Sequence, residues 1–569
     1  MSENAKLSKY CSEDTLNYQS GEQSFNSNDH APLLIEQRYL NLETVSNFLS
    51  TGQKVEVEDE EKISEFLQRS IDTLQKNIDA GEYIYGVNTL FGGLANEIVA
   101  PDGELQEYLV ASHNVAMGEA VEAHDVKLAM LLRCKSLLMG VSAIRFEVIA
   151  RYLTLINNNW IPHVGKLCSI GASGDLIPLA AIAGAAIGQS DEFSLTVNGE
   201  LLPAKSFLQQ QGLPSIKLQP KEGLALINGT SCHTAIAVNN SIQFKTLFDH
   251  YFSVITLICE VLKADPQPFA QFISEKRPHP GQLWVSQAIR ESLMDSKLTI
   301  KKGQHNDQIK RHDLVQDKYA IRCIPQFLAP IVEAFWHTNR SLNVEMNAVS
   351  DNPIFDNETG DFFFGGNFLG QHVATSMDQM RSNICLIVKH CEALIAQLVD
   401  PTANKGLPAS LAQLNGENKS LGVKPLQILG NAIAPLIEQK AAPLSIHFPI
   451  YAEQGNQNLN SQAFGSSNLT RESLELFNQH LSVTTLIALN ALACRLELNK
   501  AHYDQLLSTN SKILVARLLS YLELNDVSQT IKLSTQLTYK KTLAKLECEI
   551  GKNSNNIDSG GSVSLSYTE

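Results

Sequence analysis

From residue 61 onward, apolar positions recur at steps of three and four, the period of an amphipathic helix. The clearest run is 373–399. There Val373, Met377, Met380, Ile384, Ile387, Cys391, Leu394 and Leu398 form one stripe about seven turns long. A second long helix is predicted within 315–348, with Ile324 and Pro325 marking an early kink. A third covers about 470–500, through LSVTTLIALNALACRLEL. Segment 126–157 reads as two helices broken near Gly140. Strand patterns are few. FSLTVNGELL, at 193–202, reads as a hairpin turning on Asn198-Gly199, and 32–60 as short strand and helix pieces. No repeat of 20–50 residues is present. The expected fold is mainly α, a bundle of long helices with a smaller mixed N-terminal portion.

The same pattern suggests a division of the chain. Residues 1–31 are polar and expected to be a disordered arm, and 553–569 a disordered tail. Between them lie an N-terminal domain (32–230), a central long-helix bundle (231–500) and C-terminal helices (501–552).

Composition narrows the function. The 569 residues are 44% hydrophobic and 18% charged, a balance that suits a globular protein with surface buried between subunits. The net charge of −15 disfavours nucleic acid or anionic lipid as a partner. Ten cysteines at irregular spacing, with no Cys-x-x-Cys pair, suit reduced thiols and a cytoplasmic location. The N-terminus has no apolar core of a signal peptide, and the longest apolar run, 179–188, is too short to span a membrane. There is no His-Glu-x-x-His or clustered Cys/His pattern, so neither metal nor nucleotide is expected.

One short stretch carries unusual chemistry. Residues 169–176 read SIGASGDL and lead into the apolar run LAAIAGAAIG. As plain structure, Ser173 or Asp175 caps a helix that follows, with Pro178 in its first turn. A serine-hydrolase elbow is disfavoured, because Asp175 stands where that motif needs glycine. A third reading makes a cofactor of the backbone. The Gly174 nitrogen attacks the Ala172 carbonyl carbon, and two waters leave, one of them from Ser173. The product is a methylidene-imidazolone ring. Glycine suits the nucleophile's place because it has no Cβ to obstruct the tight turn.

GASGDLIPL resembles the signature of the aromatic amino acid and histidine ammonia-lyases. So do YGVNTLFGG (85–93), PKEGLALINGTS (220–231), PHPGQLW (278–284), HDLVQDKYAIRCIPQ (312–326), SDNPIF (350–355), GGNFLGQHVA (365–374) and AEQGNQNLNSQ (452–462). The blocks run in family order and look most like the bacterial phenylalanine/tyrosine members. The resemblance implies a fold of the ammonia-lyase (fumarase/aspartase-like) superfamily and a ring formed from Ala172, Ser173 and Gly174. It implies a homotetramer whose active sites are shared between subunits, acting on a small aromatic amino acid. The implied reaction removes ammonia and a β-proton to leave a trans-2-alkenoate.

The resemblance also distributes roles. Tyr85 takes the place of the base; its phenol, of ordinary pKa about 10, needs positive charge and hydrogen bonds to serve at neutral pH. Arg322 is the cation for the substrate carboxylate, and Tyr319, three residues earlier, shares its face if the stretch is helical. Asn228 bonds the ring carbonyl. Gln316, Asn367, Phe368, Lys424, Glu453, Asn456 and Gln457 fall at substrate-binding positions, with Glu453 near the amine. The plain structural alternatives are a loop anchor for Tyr85, an inter-helix salt bridge for Arg322, and satisfied polar or core positions for the others. Ser112 and His113 are the pair that reads the substrate ring: His113 can bond an imidazole or a phenol hydroxyl, and Ser112 leaves room for either. Gln457 and Leu369-Gly370-Gln371 match the phenylalanine/tyrosine side rather than the histidine side. L-Tyrosine or L-phenylalanine is therefore favoured, giving coumarate or cinnamate. The alternatives are histidine with urocanate as product, a tyrosine/phenylalanine 2,3-aminomutase, and a catalytically dead homologue. Leu90 stands where the family's Tyr loop usually has glycine, and it is expected to alter closure of that loop or narrow the pocket.

Overall fold

The structure, a computed structural model, describes residues 31–300, 316–413, 420–447, 451–533 and 538–552. The expected N-terminal arm, apart from Ala31, and the expected tail lie outside the described residues, as do 312–315 of the 312–326 block.

Three helices form the centre: Ser231–Val261, Gln371–Val399 and Ala463–Asn499. With 31, 29 and 37 residues they run roughly 45–55 Å at 1.5 Å per residue. They pack against one another. Lys424–Lys440 and Ile324–Met346 cover the outside, and Pro280–Leu293 lies on Ile324–Met346. All eight residues of the 373–398 stripe are buried, none more than 3% exposed.

The remaining helices sharpen the sequence pattern. The 126–157 pair is Ala123–Leu137 and Phe146–Asn158, with Gly140 at positive φ between them. Pro325 does not kink a helix. The chain breaks at Cys323, a short helix Tyr319–Arg322 precedes the break, and Pro325 sits in the first turn of the next helix. That position tolerates proline because its N–H would have no partner anyway. The helix predicted from 470 begins at Ala463, about two turns earlier. Its first turns bury Ser466, Ser467 and Thr470 beside Ala463 and Phe464, and the buried polar positions interrupt the hydrophobic periodicity. Thr470 Oγ1 donates to the Met377 carbonyl at 3.1 Å, and Ser467 Oγ to the His233 carbonyl at 3.3 Å. Two of the central helices, Gln371–Val399 and Ala463–Asn499, are long and apolar enough to cross a membrane, but both are core helices here, the second almost wholly buried.

Strands are short. Ser194–Val197 and Glu200–Pro203 make the expected hairpin, with Asn198 and Gly199 both at positive φ as a tight two-residue turn requires. Ile161–Pro162 adds a third strand. Parallel Leu33–Leu34 and Val55–Glu56 flank the helix Leu42–Thr51.

Candidate active site

SIGASGDL forms a run of bends that ends at the helix Leu176–Ile187. Asp175 stands at the cap position of that helix, yet its side chain makes no cap bond there. The carboxylate turns instead to the start of the Ser231–Val261 helix, accepting from His233 N at 2.8 Å and lying 2.9 Å from His233 Nδ1. Four orphan N–H groups at a helix start favour an anion, so Asp175 ties the bend run to the bundle. Gly174 is at φ 72°, and a Cβ there would lie 2.2 Å from the Gly229 carbonyl oxygen. Gly229 is equally confined, by Arg133 and the Ser350 carbonyl. Only glycine fits at 174, for both conformation and space.

Two side chains hold Ser173. Asn228 Nδ2 donates to its carbonyl oxygen at 3.0 Å, and Gln457 Nε2 donates to its Oγ at 3.0 Å. Asn228 follows the short helix Glu222–Ile227. Gln457 ends a turn in which Glu453 and Gln454 both have positive φ. Asn456 lies in that same turn.

The 85–93 loop lies against this turn. Glu453 Oε2 accepts from Gly93 N at 3.3 Å, and a Cβ on Gly92 would meet the same oxygen at 2.4 Å. Gly92 N donates to the Tyr85 hydroxyl at 2.9 Å. Gln106 anchors the loop from below, donating to the Gly86 carbonyl at 2.8 Å and accepting from Leu224 N at 3.0 Å. Burial pushes the Tyr85 phenol above its ordinary pKa; the Gly92 bond lowers it, and the nearby Glu453 carboxylate raises it further. The positive charge expected beside Tyr85 is thus not what this chain puts there: the neighbouring charge is negative. Leu90 is half-buried in the loop, with its N–H donating to the Glu97 carbonyl at 2.9 Å.

Ser112 and His113 end the helix Gly103–Ser112, which packs on Leu176–Ile187 and Glu222–Ile227. Both of those helices abut the ring-forming turn or Asn228. His113 Nδ1 bonds the Leu109 carbonyl at 2.8 Å. A carbonyl only accepts, so Nδ1 carries the proton and the neutral ring keeps an acceptor lone pair on Nε2. Ser112 Oγ donates to the same carbonyl at 3.0 Å.

The other candidates make no hydrogen bond to Ser173 among the described residues. Tyr319, Arg322 and Gln316 form their own cluster: the guanidinium lies 4.6 Å from the Tyr319 ring centroid, and Nη1 donates to Gln316 Oε1. Arg322 Nε is buried without a partner, and among the described residues no carboxylate pairs with Arg322. The cluster sits by His390, which bonds Tyr251, whereas Asp175 bonds His233. Tyr251 and His233 are eighteen residues apart on one straight helix, roughly 27 Å. Arg322 therefore does not reach the Ser173 of its own chain. Asn367 is exposed and Phe368 half-buried, in a loop ending at Gly370, which packs against the His233 ring. Lys424 is exposed at the start of the Lys424–Lys440 helix.

Sequence motifs did not single out the layer beneath. Arg133, fully buried, donates to the Ala225 carbonyl from Nε at 3.0 Å and to the Ser350 carbonyl from Nη1 at 2.7 Å. Lys221 and Asp351 form a wholly buried ion pair at 2.8 Å. Lys221 and Asp351 fall inside quoted blocks, whereas Arg133 lies on an apolar helix with nothing local to mark it.

Residues 40–513 match the sequence model of aromatic amino acid lyases. The phenylalanine ammonia-lyase of Nostoc punctiforme is 38% identical over 482 residues, covering 84% of this chain and 85% of that protein. A histidine ammonia-lyase of Legionella pneumophila is 32% identical over 388 residues, 68% of this chain and 74% of the relative. Among solved structures, the phenylalanine aminomutase of Pantoea agglomerans superimposes with a TM-score of 0.79 at 27% identity, covering 89% of this chain and 99% of that one.

Proposed function

The chain belongs to the aromatic amino acid lyase family of carbon–nitrogen lyases, and from that premise we propose that it deaminates L-tyrosine or L-phenylalanine to coumarate or cinnamate and ammonia. The observation that carries the reading is Ser173 held at both oxygens, by Asn228 and Gln457, beside a glycine that neither conformation nor space lets be anything else. This arrangement fits a methylidene-imidazolone made from Ala172, Ser173 and Gly174. Asn228 would polarise its carbonyl, and Gln457 stands at the carbon that Ser173 supplies. The ring, once formed, supplies an electrophilic methylene carbon that no ordinary side chain offers.

The remaining roles belong to side chains. The Tyr85 oxygen takes the β-proton as a phenolate and becomes a neutral phenol, and the Gly92 N–H steadies the phenolate before the transfer. The Glu453 carboxylate faces the same space and suits the substrate ammonium. His113 Nε2 is an acceptor, which matches the hydroxyl of a phenol and gives nothing to a plain phenyl ring. That favours tyrosine over phenylalanine. The carboxylate needs a cation, and Arg322 carries an unpaired Nε in a cluster beside Tyr251, a residue roughly 27 Å along the helix from His233. The site is therefore completed by Arg322 of a second copy, consistent with a homotetramer, and we place Tyr319 and Gln316 with it.

Intact-mass measurement tests the ring. The wild-type chain is expected to be lighter than its sequence by two waters, and Ser173→Ala to retain full mass, fold normally and lose nearly all turnover. A full-mass wild type, or an active Ser173→Ala, overturns the reading.

A further inference from the structure

The helix that carries Tyr319 and Arg322 has only four residues. One turn is too short to hold itself, and its last carbonyls have no helical successor to satisfy them. Lys318 O accepts from Ile321 N and Arg322 N, and Tyr319 O from Cys323 N. Ala320 O is taken from outside: His390 Nε2 donates to it at 2.6 Å from the middle of the Gln371–Val399 helix. On its other side the ring accepts at Nδ1 from the Tyr251 hydroxyl at 2.5 Å. Tyr251 is fully buried and His390 is 5% exposed, with the Phe327 ring centroid 5.6 Å away.

We infer that His390 is a positioning residue for Arg322, acting through the Ala320 carbonyl, and that Tyr251 fixes the tautomer in which it can do so. This rests on the reading of Arg322 as the carboxylate-binding group. Two buried polar side chains in an aromatic core are costly unless each is satisfied. Here they satisfy one another and direct one donor at a single outside acceptor, the carbonyl two residues before Arg322. Because Ala320 O only accepts, Nε2 must bear the proton. Nδ1 is then a lone pair, and the Tyr251 hydroxyl is its donor. Burial pushes the His390 pKa down to about 4, so the ring is neutral at working pH and the arrangement is fixed. Arg322 has no carboxylate of its own among the described residues; its direction is set by Gln316, by the Tyr319 ring and by the turn itself.

The test compares the wild type with His390→Leu, His390→Gln and Tyr251→Phe, using the aromatic amino acid the wild type turns over. The corresponding arylalkylamine, which lacks the carboxylate, serves as a competitive inhibitor. His390→Leu is expected to raise KM by on the order of tenfold, with a smaller change in kcat. The amine's inhibition constant should stay where it was. His390→Gln keeps a donor near the Nε2 position and should recover most of the loss. Tyr251→Phe should raise KM in the same sense by less. Unchanged KM in Tyr251→Phe and His390→Leu overturns the inference, as does equal weakening of amine and amino acid. If His390→Leu does not fold, Tyr251→Phe and His390→Gln decide by the same criteria. A wild type that turns over no aromatic amino acid, or an intact mass without the two-water loss, overturns the proposed function itself, which the variants by themselves do not address.

Discussion

Tyr85 shows how single residues divide what the chain alone can do from what it cannot. The phenol has a hydrogen bond ready for its charged form, from Gly92 N, yet burial and Glu453 both oppose ionisation. Among the described residues no cation acts on it. Removing the Glu453 charge should therefore lower the phenol's pKa. In Glu453→Gln the rising limb of kcat/KM against pH is expected to move to lower pH, even as total activity falls with loss of the ammonium's partner. A limb that stays in place means Glu453 does not act on Tyr85. Ser173, Asn228, Gln457, Glu453 and Tyr85 were legible because each lies in a local string, and the structure brings those strings together. Arg133 was not. Its partners are main-chain carbonyls far away in sequence, and carbonyls leave no mark in the sequence.

At the scale of elements, apolar periodicity located the long helices where their faces are apolar. It failed at the start of Ala463–Asn499, where the buried face mixes Phe464 with Ser466 and Thr470, the last two bound to Arg381 and Met377. This junction rests on Asp378. Its carboxylate accepts from Arg381 Nη2 at 2.5 Å, from Ser466 Oγ, from Ser445 N at 2.9 Å and from Leu444 N at 3.1 Å. Burial pushes the Asp378 pKa up, but the bonds from Ser445 and Ser466, with Arg381, outweigh it and hold the group below its ordinary value. A lowered pKa in the folded state means stability that is present above the ordinary carboxylate pKa and lost as pH falls through the lowered one. Asp378→Asn leaves Arg381 buried without its partner and should cost about 3–5 kcal/mol at neutral pH. The gap from wild type, followed by thermal or denaturant unfolding, should narrow as pH drops below about 4. A constant gap down to acid pH would show that the charge is not what matters.

For the whole molecule, length is the deciding fact. Eighteen residues of the Ser231–Val261 helix, from His233 to Tyr251, separate the part beside Ser173 from the part beside the Arg322 cluster. No sequence motif reveals this, because both ends lie in strong motifs that follow one another in the chain. The separation predicts sites built across copies. Ser173→Ala and Arg322→Ala should each be inactive alone. Produced together, they should form mixed assemblies in which some sites draw both intact residues, and activity should reappear. Absence of recovery in assemblies shown by mass to be mixed would refute the shared site.

The central claim, deamination of an aromatic L-amino acid, is tested most directly by product analysis. The protein is given L-tyrosine, L-phenylalanine and L-histidine separately, and the ultraviolet-absorbing acid, the ammonia and any β-amino acid are quantified. The account predicts coumarate and ammonia in equal amounts from tyrosine, slower cinnamate from phenylalanine, and no β-amino acid. Urocanate from histidine alone, or accumulation of a β-amino acid, would contradict it.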